Sequence, residues 1–221
     1  MRTASSAGGA LTVNEVFFSI QGEGIRAGRP SAFVRLTGCP LRCRWCDTAY
    51  AFHEGKDRSQ DEVVAELEGF PTRLVCLTGG EPLAQPAAFP LLTRLLDGGW
   101  EVVVETSGYL SLEGLDRRAI VIMDVKTPGS GETERMHWPN LERLTARDEA
   151  KFVIDGRTDY EWSRALTIEK RLAERCTVLF MPVHGVLDPG VLGRWILADG
   201  LPVRLHLQLH KILWPGATRG V

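Results

Sequence analysis

A chain of 221 residues suits one large domain or two small ones. Its 44 % apolar and 24 % charged residues are those of an ordinary globular protein, and a net charge of −2 argues against a general nucleic-acid binder. No run of about 18 apolar residues offers a membrane span. The opening "MRTASSAGGA" lacks the apolar stretch of a secretory signal. Five unevenly spaced cysteines do not suit a disulfide scaffold, so a cytoplasmic, reducing location is expected.

"AFVRLTG" (Ala32–Gly38) reads as a strand that runs into a cysteine-rich loop. "SQDEVVAELEGF" follows as a helix, with Ser59 or Asp61 as N-cap and Val63, Val64, Leu67 and Phe70 on one face. "RLVCLTGGEP" reads as a buried strand ending in a glycine turn, and "AAFPLLTRLLDGG" as a helix stopped by Gly98 and Gly99. Strands "EVVVETSG" and "AIVIMDVKTP" come next, then a short helix near "NLERLTARD". Strand "EAKFVIDG", a longer helix near "YEWSRALTIEKRLAERC", strand "TVLFMPVHG" and helix "PGVLGRWILADG" complete the alternation. A last strand is expected over "VRLHLQLHKILW".

Alternating strands and helices imply βαβ units around a mainly parallel sheet. Runs such as "AIVIM" suit strands buried on both faces. A closed eight-stranded barrel typically needs about 250 residues, so the expected fold is α/β with an incomplete, open β/α barrel. Its free edges would be covered by a second subunit, and a doubly wound, flavodoxin-like sheet is the alternative. No repeat or linker divides the chain. Residues 1–10 are expected to form a disordered lead-in and 11–221 one domain.

"GCPLRCRWCDT" (Gly38–Thr48) gathers Cys39, Cys43 and Cys46 into one polar loop, whereas Cys76 and Cys176 lie in apolar runs. Three thiolates suit zinc with a fourth ligand such as His53, or an iron–sulfur cluster. A [4Fe-4S] cluster held by three cysteines leaves one iron open to a substrate or cofactor. Arg26, Arg29, Arg35, Arg42 and Arg44 crowd the same region and could favour an anionic ligand. His206 and His210 alternate along the last predicted strand. For such a pair, a satisfied, partly buried histidine is commoner than a metal site.

The C-x3-C-x2-C loop, with Trp45 before its last cysteine, resembles the cluster motif of the radical S-adenosylmethionine (SAM) superfamily. "TGGEP" (Thr78–Pro82) is similar to that superfamily's second signature. "FFSIQGEG" (Phe17–Gly24), "AGRPSAFVRLTGCPLRCRWCDT" (Ala27–Thr48), "ETSG" (Glu105–Gly108) and "LQLHKILW" (Leu207–Trp214) narrow the resemblance to the 7-carboxy-7-deazaguanine synthase family. "QGEG" is not a G-x-G-x-x-G fingerprint, so dinucleotide binding is not implied.

The resemblance implies a radical SAM barrel that converts 6-carboxy-5,6,7,8-tetrahydropterin to 7-carboxy-7-deazaguanine. Ammonia is lost in this ring contraction, which belongs to 7-deazapurine and queuosine biosynthesis. SAM would act catalytically through a 5′-deoxyadenosyl radical. Cys39, Cys43 and Cys46 would hold the cluster. By the same resemblance SAM would meet Trp45, Cys46, Asp47, Gly80, Glu81 (through its ammonium) and Ser107. It would also meet Asp124, Val125, Lys126, Met181, Pro182, Val183 and His184. The family more often has Ser-Pro-Lys where this chain has Asp124-Val125-Lys126. Gly79 and Gly80 would let backbone approach the cofactor.

For the substrate the resemblance names Ile20, Gln21, Gly22, Thr78 and Pro215, with the forked guanidinium of Arg35 for the carboxylate. Thr48 would bind Mg2+ together with substrate oxygens and water. A flavodoxin-type reductant and a homodimer are implied as partners. Two other functions fit parts of the pattern: a glycyl-radical-enzyme activase, and a non-catalytic zinc or iron–sulfur module.

Overall fold

The computed structural model describes residues 9–221; most of the expected lead-in, residues 1–8, lies outside them. Strands β1 (Leu11–Ile20) and β2 (Pro30–Leu36) form an antiparallel hairpin, and β3 (Lys56–Arg58) pairs with the outer side of β1. Helix α1 (Gln60–Glu68) leads to β4 (Leu74–Gly79), and α2 (Ala88–Asp97) to β5 (Glu101–Thr106). After β6 (Ile120–Val125) and β7 (Glu149–Ile154) come α3 (Arg157–Glu169), β8 (Thr177–Pro182), α4 (Pro189–Asp199), the two-residue β9 (Arg204–Leu205) and α5 (Leu209–Leu213). The nine strands join one sheet in the order β3-β1-β2-β4-β5-β6-β7-β8-β9, parallel from β2 onward.

Strand alternation divides this sheet into two unlike faces. Val34, Leu77, Val104, Met123, Phe152 and Phe180 join one core with Leu67 of α1, Leu92 of α2, Tyr160 of α3 and Leu192 of α4. Helices α1–α4 therefore cover the same face. Phe33, Leu74, Cys76, Val103, Ile120 and Ile122 form a smaller cluster on the other. A doubly wound sheet would carry helices on both faces. Here residues of β2 and β8 instead border a single cavity across the second face, so the sheet curls around it as an open barrel.

Helix boundaries follow local chemistry. Ser59 and Glu62 form a reciprocal capping box at α1. Asp188 caps α4 ahead of Pro189, and Gly200 ends it in the left-handed region. Among the described residues no helix is long and apolar enough to cross a membrane.

The structure departs from expectation at both ends of the chain. Strand β1 carries "LTVNEVFFSI", which the sequence pattern left unassigned because buried and half-exposed residues mix along it. Its pairing with β2 makes Gln21–Arg29 a hairpin loop, closed by bonds between Gln21 and Arg29 and between Gly28 and Gln21, each 2.8 Å. The expected last strand survives only as Arg204–Leu205, after which the chain turns into α5. The expected helix near "NLERLTARD" is a 3-10 stretch, Trp138–Arg143. The long helix expected toward Cys176 stops at Glu169, and Arg171 at φ 51° breaks it.

Candidate functional site

Strands β2 and β4 run side by side, with Leu36 opposite Gly79, so their C-terminal ends deliver the cysteine loop and the Gly-Gly-Glu-Pro turn to one place. The turn bonds the start of the loop directly: Gly80 N–H donates to Leu36 O at 3.2 Å and Glu81 N–H to Gly38 O at 2.8 Å. Both glycines are needed for this contact. A Cβ on Gly79, at φ +144°, would lie 2.2 Å from Leu36 O. One on Gly80 would lie 2.2 Å from Gly38 O and 2.7 Å from the Cys39 Cβ. These glycines therefore make room first of all for the protein's own backbone.

Glu81 also differs from expectation. It is fully buried, and its carboxylate accepts from Leu83 N (3.0 Å), Thr106 Oγ1 (2.9 Å), Ser107 N (2.7 Å) and the Ser107 hydroxyl. It does not reach the cavity, so an ammonium contact is not open to it in this geometry. Instead it ties the end of β5 to the turn that holds the cysteine loop.

Cys39, Cys43 and Cys46 are half-buried and line a cavity of about 470 Å³ at the C-terminal ends of the strands. Burial raises the Cys39 and Cys43 thiols, with Lys126 opposing it in both. A positive metal centre would reverse that balance, since metal binding needs thiolates. Among the described residues no three His, Cys, Asp or Glu side chains converge as a single-ion site requires.

The arginines of this region are mostly committed within the protein. Arg42 Nη1 donates to Cys39 O and Leu41 O, each at 2.7 Å, and its guanidinium covers the Phe52 ring. Arg26 and Arg29 pair with Glu101. Arg35 alone of the five borders the cavity. Its Nε donates to Glu15 at 2.7 Å, and that same carboxylate accepts from Tyr50 and from Gly220 N–H.

Of the residues expected around the cofactor, Trp45, Asp47, Gly80, Ser107, Asp124, Lys126, Met181, Val183 and His184 border the cavity with the cysteines. Thr48 borders it too, its hydroxyl 3.9 Å from the Cys46 sulfur. Val125 does not: it lies on the opposite face of β6, fully buried in the helix-covered core. Pro182 is buried at the end of β8 outside the lining. Among the substrate positions Ile20, Gln21, Gly22, Arg35 and Thr78 border the cavity, whereas Pro215 is exposed away from it and Val221 stands at its edge.

Sequence reading missed Glu23, Lys151, Gln208 and Lys211, all of which line the same cavity together with Glu105 and His210. Lys151 lies between Glu23 and Asp124, and Asp124 also pairs with Lys126 at 3.1 Å. Burial raises the Glu23 carboxyl but is outweighed by Lys151, Gln208 and His210, which hold it at about 2. Glu105 moves the other way, lifted by burial and by Glu23. It accepts from Thr78 Oγ1 at 2.9 Å and approaches Gln21 Nε2 at 3.5 Å. Gln208 Nε2 reaches both Glu23 (2.9 Å) and Asp47 (3.1 Å), and Lys211 reaches Asp47 at 2.7 Å. Three segments remote in sequence thereby meet at one rim. His206 accepts from Gly24 N–H at 3.0 Å and His210 stands on α5, so the two do not share a strand face.

Residues 33–128 match the family model of the radical SAM superfamily. A protein of Koribacter versatilis described as 7-carboxy-7-deazaguanine synthase is 42 % identical over 96 % of this chain and 100 % of its own length. One of Chlorobaculum tepidum with the same description is 41 % identical, over 96 % and 97 %. The crystal structure of QueE from Escherichia coli superposes with a TM-score of 0.74 at 24 % identity, over 91 % of this chain and 95 % of that one, and shows the same fold.

The glycine contacts yield a test. Gly80→Ala should lower the stability of the cofactor-free protein by about 2 kcal/mol, as overpacking against fixed backbone does. Urea unfolding in the absence of iron and SAM measures it, and unchanged stability would return the role of Gly80 to ligand contact.

Proposed function

The chain belongs to the 7-carboxy-7-deazaguanine synthase family of the radical SAM superfamily, and on that premise we propose that it contracts the ring of 6-carboxy-5,6,7,8-tetrahydropterin, with loss of ammonia, to give 7-carboxy-7-deazaguanine. The observation that carries the reading is the meeting of the hairpin loop, the cysteine loop and the tail through Gln208, Glu23 and Asp47 around one cavity. A volume of about 470 Å³ is that of a small-molecule site. It favours a pterin over the protein segment that a glycyl-radical activase would take.

Cys39, Cys43 and Cys46 would hold the [4Fe-4S] cluster, with SAM beside it against Trp45, Asp47, Gly80 and Ser107. Together these cofactors supply one-electron cleavage of a carbon–sulfur bond and radical removal of a substrate hydrogen. The protein's part is placement. The terminal nitrogens of Arg35 would fork onto the substrate carboxylate while Glu15 fixes the angle of the guanidinium. Gln21, Thr78 and Glu105 would read the polar edge of the pterin, with backbone groups of Ile20 and Gly22 beside them.

The Glu105 carboxyl, raised by burial and Glu23, can present either a donor or an acceptor there. Lys151 stays charged: burial lowers it, and Glu23, Asp124 and Glu105 more than offset that. It therefore acts as a fixed positive charge and not as a proton source. Thr48 would bind Mg2+ with substrate oxygens and water. We read residues 11–221 as one catalytic domain acting in the cytoplasm, as a homodimer reduced by a flavodoxin-type protein.

Anaerobic reconstitution with iron and sulfide followed by turnover of the carboxylated pterin tests the reading. Brown protein with about four iron and four sulfide per chain is expected, together with the deazapurine product. Cys43→Ala should lose both colour and turnover; a colourless zinc protein, or turnover by that variant, would contradict it. Arg35→Lys should raise the substrate KM by at least about tenfold and leave SAM binding within about twofold. Equal losses in both would remove the carboxylate assignment.

A further inference from the structure

The hairpin loop that brings Gln21 and Glu23 to the cavity is fastened beneath the site by an acid outside the ligand-facing set. Glu149 opens β7 on the same face as Lys151, and its side chain is wholly buried. Its Oε2 accepts from Ile25 N–H at 3.0 Å. Gly24, at φ +76°, packs so closely that a Cβ there would fall 2.7 Å from both Glu149 Oε2 and Ile122 Cδ1. Glu149 Oε1 and Arg26 Nη1 stand 3.6 Å apart, each buried without a hydrogen-bond partner. A buried acid with one oxygen unsatisfied is costly, and an apolar residue would fill the same space more cheaply. Its ionisation is therefore the property to explain.

We propose that Glu149 is a positioning residue: its carboxylate, set between Ile25 N–H and the Arg26 guanidinium, draws the loop down and so fixes Gln21–Glu23 for substrate. This rests on the pterin reading above. Burial lifts this carboxyl to about 7 against the pull of Ile25 N–H and Arg26, with Glu105 adding to the rise and Lys151 opposing it. The charged and titratable groups around it are Arg26 on the loop, with its partner Glu101, then Glu105 on β5, Lys151 on β7, and His206, which holds Gly24.

The sign follows from where the proton sits. The unfolded chain releases this proton near 4.5 and the folded chain near 7. The group's contribution to stability is thus full below 4.5 and is lost as pH rises through about 7. The ionised form, which grips Arg26, prevails above that point. The substrate KM should fall as stability falls.

Glu149→Gln, Arg26→Gln and the double variant separate the possibilities. Glu149→Gln should raise the KM for 6-carboxytetrahydropterin about tenfold with kcat within about twofold, and erase the change in KM near pH 7. Arg26→Gln should reproduce the rise, and the double variant should be no worse than either. In cofactor-free protein, the fall of Tm between pH 5 and 7 should flatten in Glu149→Gln. A wild-type KM and pH profile in Glu149→Gln, or an unchanged Tm slope, overturns the proposal. Additive KM losses do so too, and if Glu149→Gln folds poorly a wild-type KM in Arg26→Gln overturns it alone. Failure of the functional reading looks different: wild-type protein would then leave the pterin unchanged, and the substrate half of the proposal would fall with it.

Discussion

The hydrogen bond from Glu81 N–H to Gly38 O, with that from Gly80 N–H to Leu36 O, sets where the chain enters the cysteine loop and so where Cys39 stands. Parallel pairing of β2 and β4 brings the two turns level, but pairing alone leaves the chain beyond Leu36 free to choose its path. The absence of two Cβ atoms lets the turn press against that path, and Glu81 beneath extends the grip to the end of β5 through Thr106 and Ser107. One short motif thus ties the C-terminal ends of three neighbouring strands and seats Cys39. The chemistry attributed to the turn in sequence reading is, in the folded chain, first a matter of backbone packing.

On this seat the inner face of the sheet is graded. Leu74, Val103 and Ile120 lie in its apolar cluster, and Thr78, Glu105 and Asp124 follow toward the C-terminal ends of the same strands, with Arg35 of β2 and Lys151 of β7 on the same cavity. Charges at that depth persist because they are paired: Lys151 is shared by Glu23 and Asp124, and Glu23 by Lys151 and Gln208. Removing one member would strand another in a poorly solvated place, so the set stands or falls together. The tail enters it through Gln208 and Lys211, which couples α5 to the cysteine loop by way of Asp47.

Much of this was legible in the sequence wherever one segment carried its own signal. The alternation of apolar strands with capped helices gave the open α/β barrel, and two short motifs gave the cysteines and the glycine turn. The radical SAM reading followed from them and agrees with the family match. What stayed hidden depended on partners distant in the chain. Nothing local in "LQLHKILW" says that Gln208 will span Glu23 and Asp47, or that the strand will yield to a helix after Leu205. The Val125 side chain faces away from the cavity for a simpler reason: adjacent residues of a strand point to opposite sides, so it cannot share the side of Asp124. One overlooked signal was Lys151 inside the apolar strand "EAKFVI", since a lysine buried in a sheet is rare without a paired acid. The arginine-rich stretch misled in the opposite direction, because most of those guanidiniums serve the fold.

Hydrogen exchange at the Gly80 and Glu81 amides of cofactor-free protein, followed residue by residue under anaerobic conditions, measures the backbone grip itself. A seat formed by the polypeptide alone predicts protection close to that of Val75 and Leu77 within β4. Exchange at the rate of an exposed loop, slowing only once iron, sulfide and SAM are added, would mean that the ligands build the seat and would contradict the central claim.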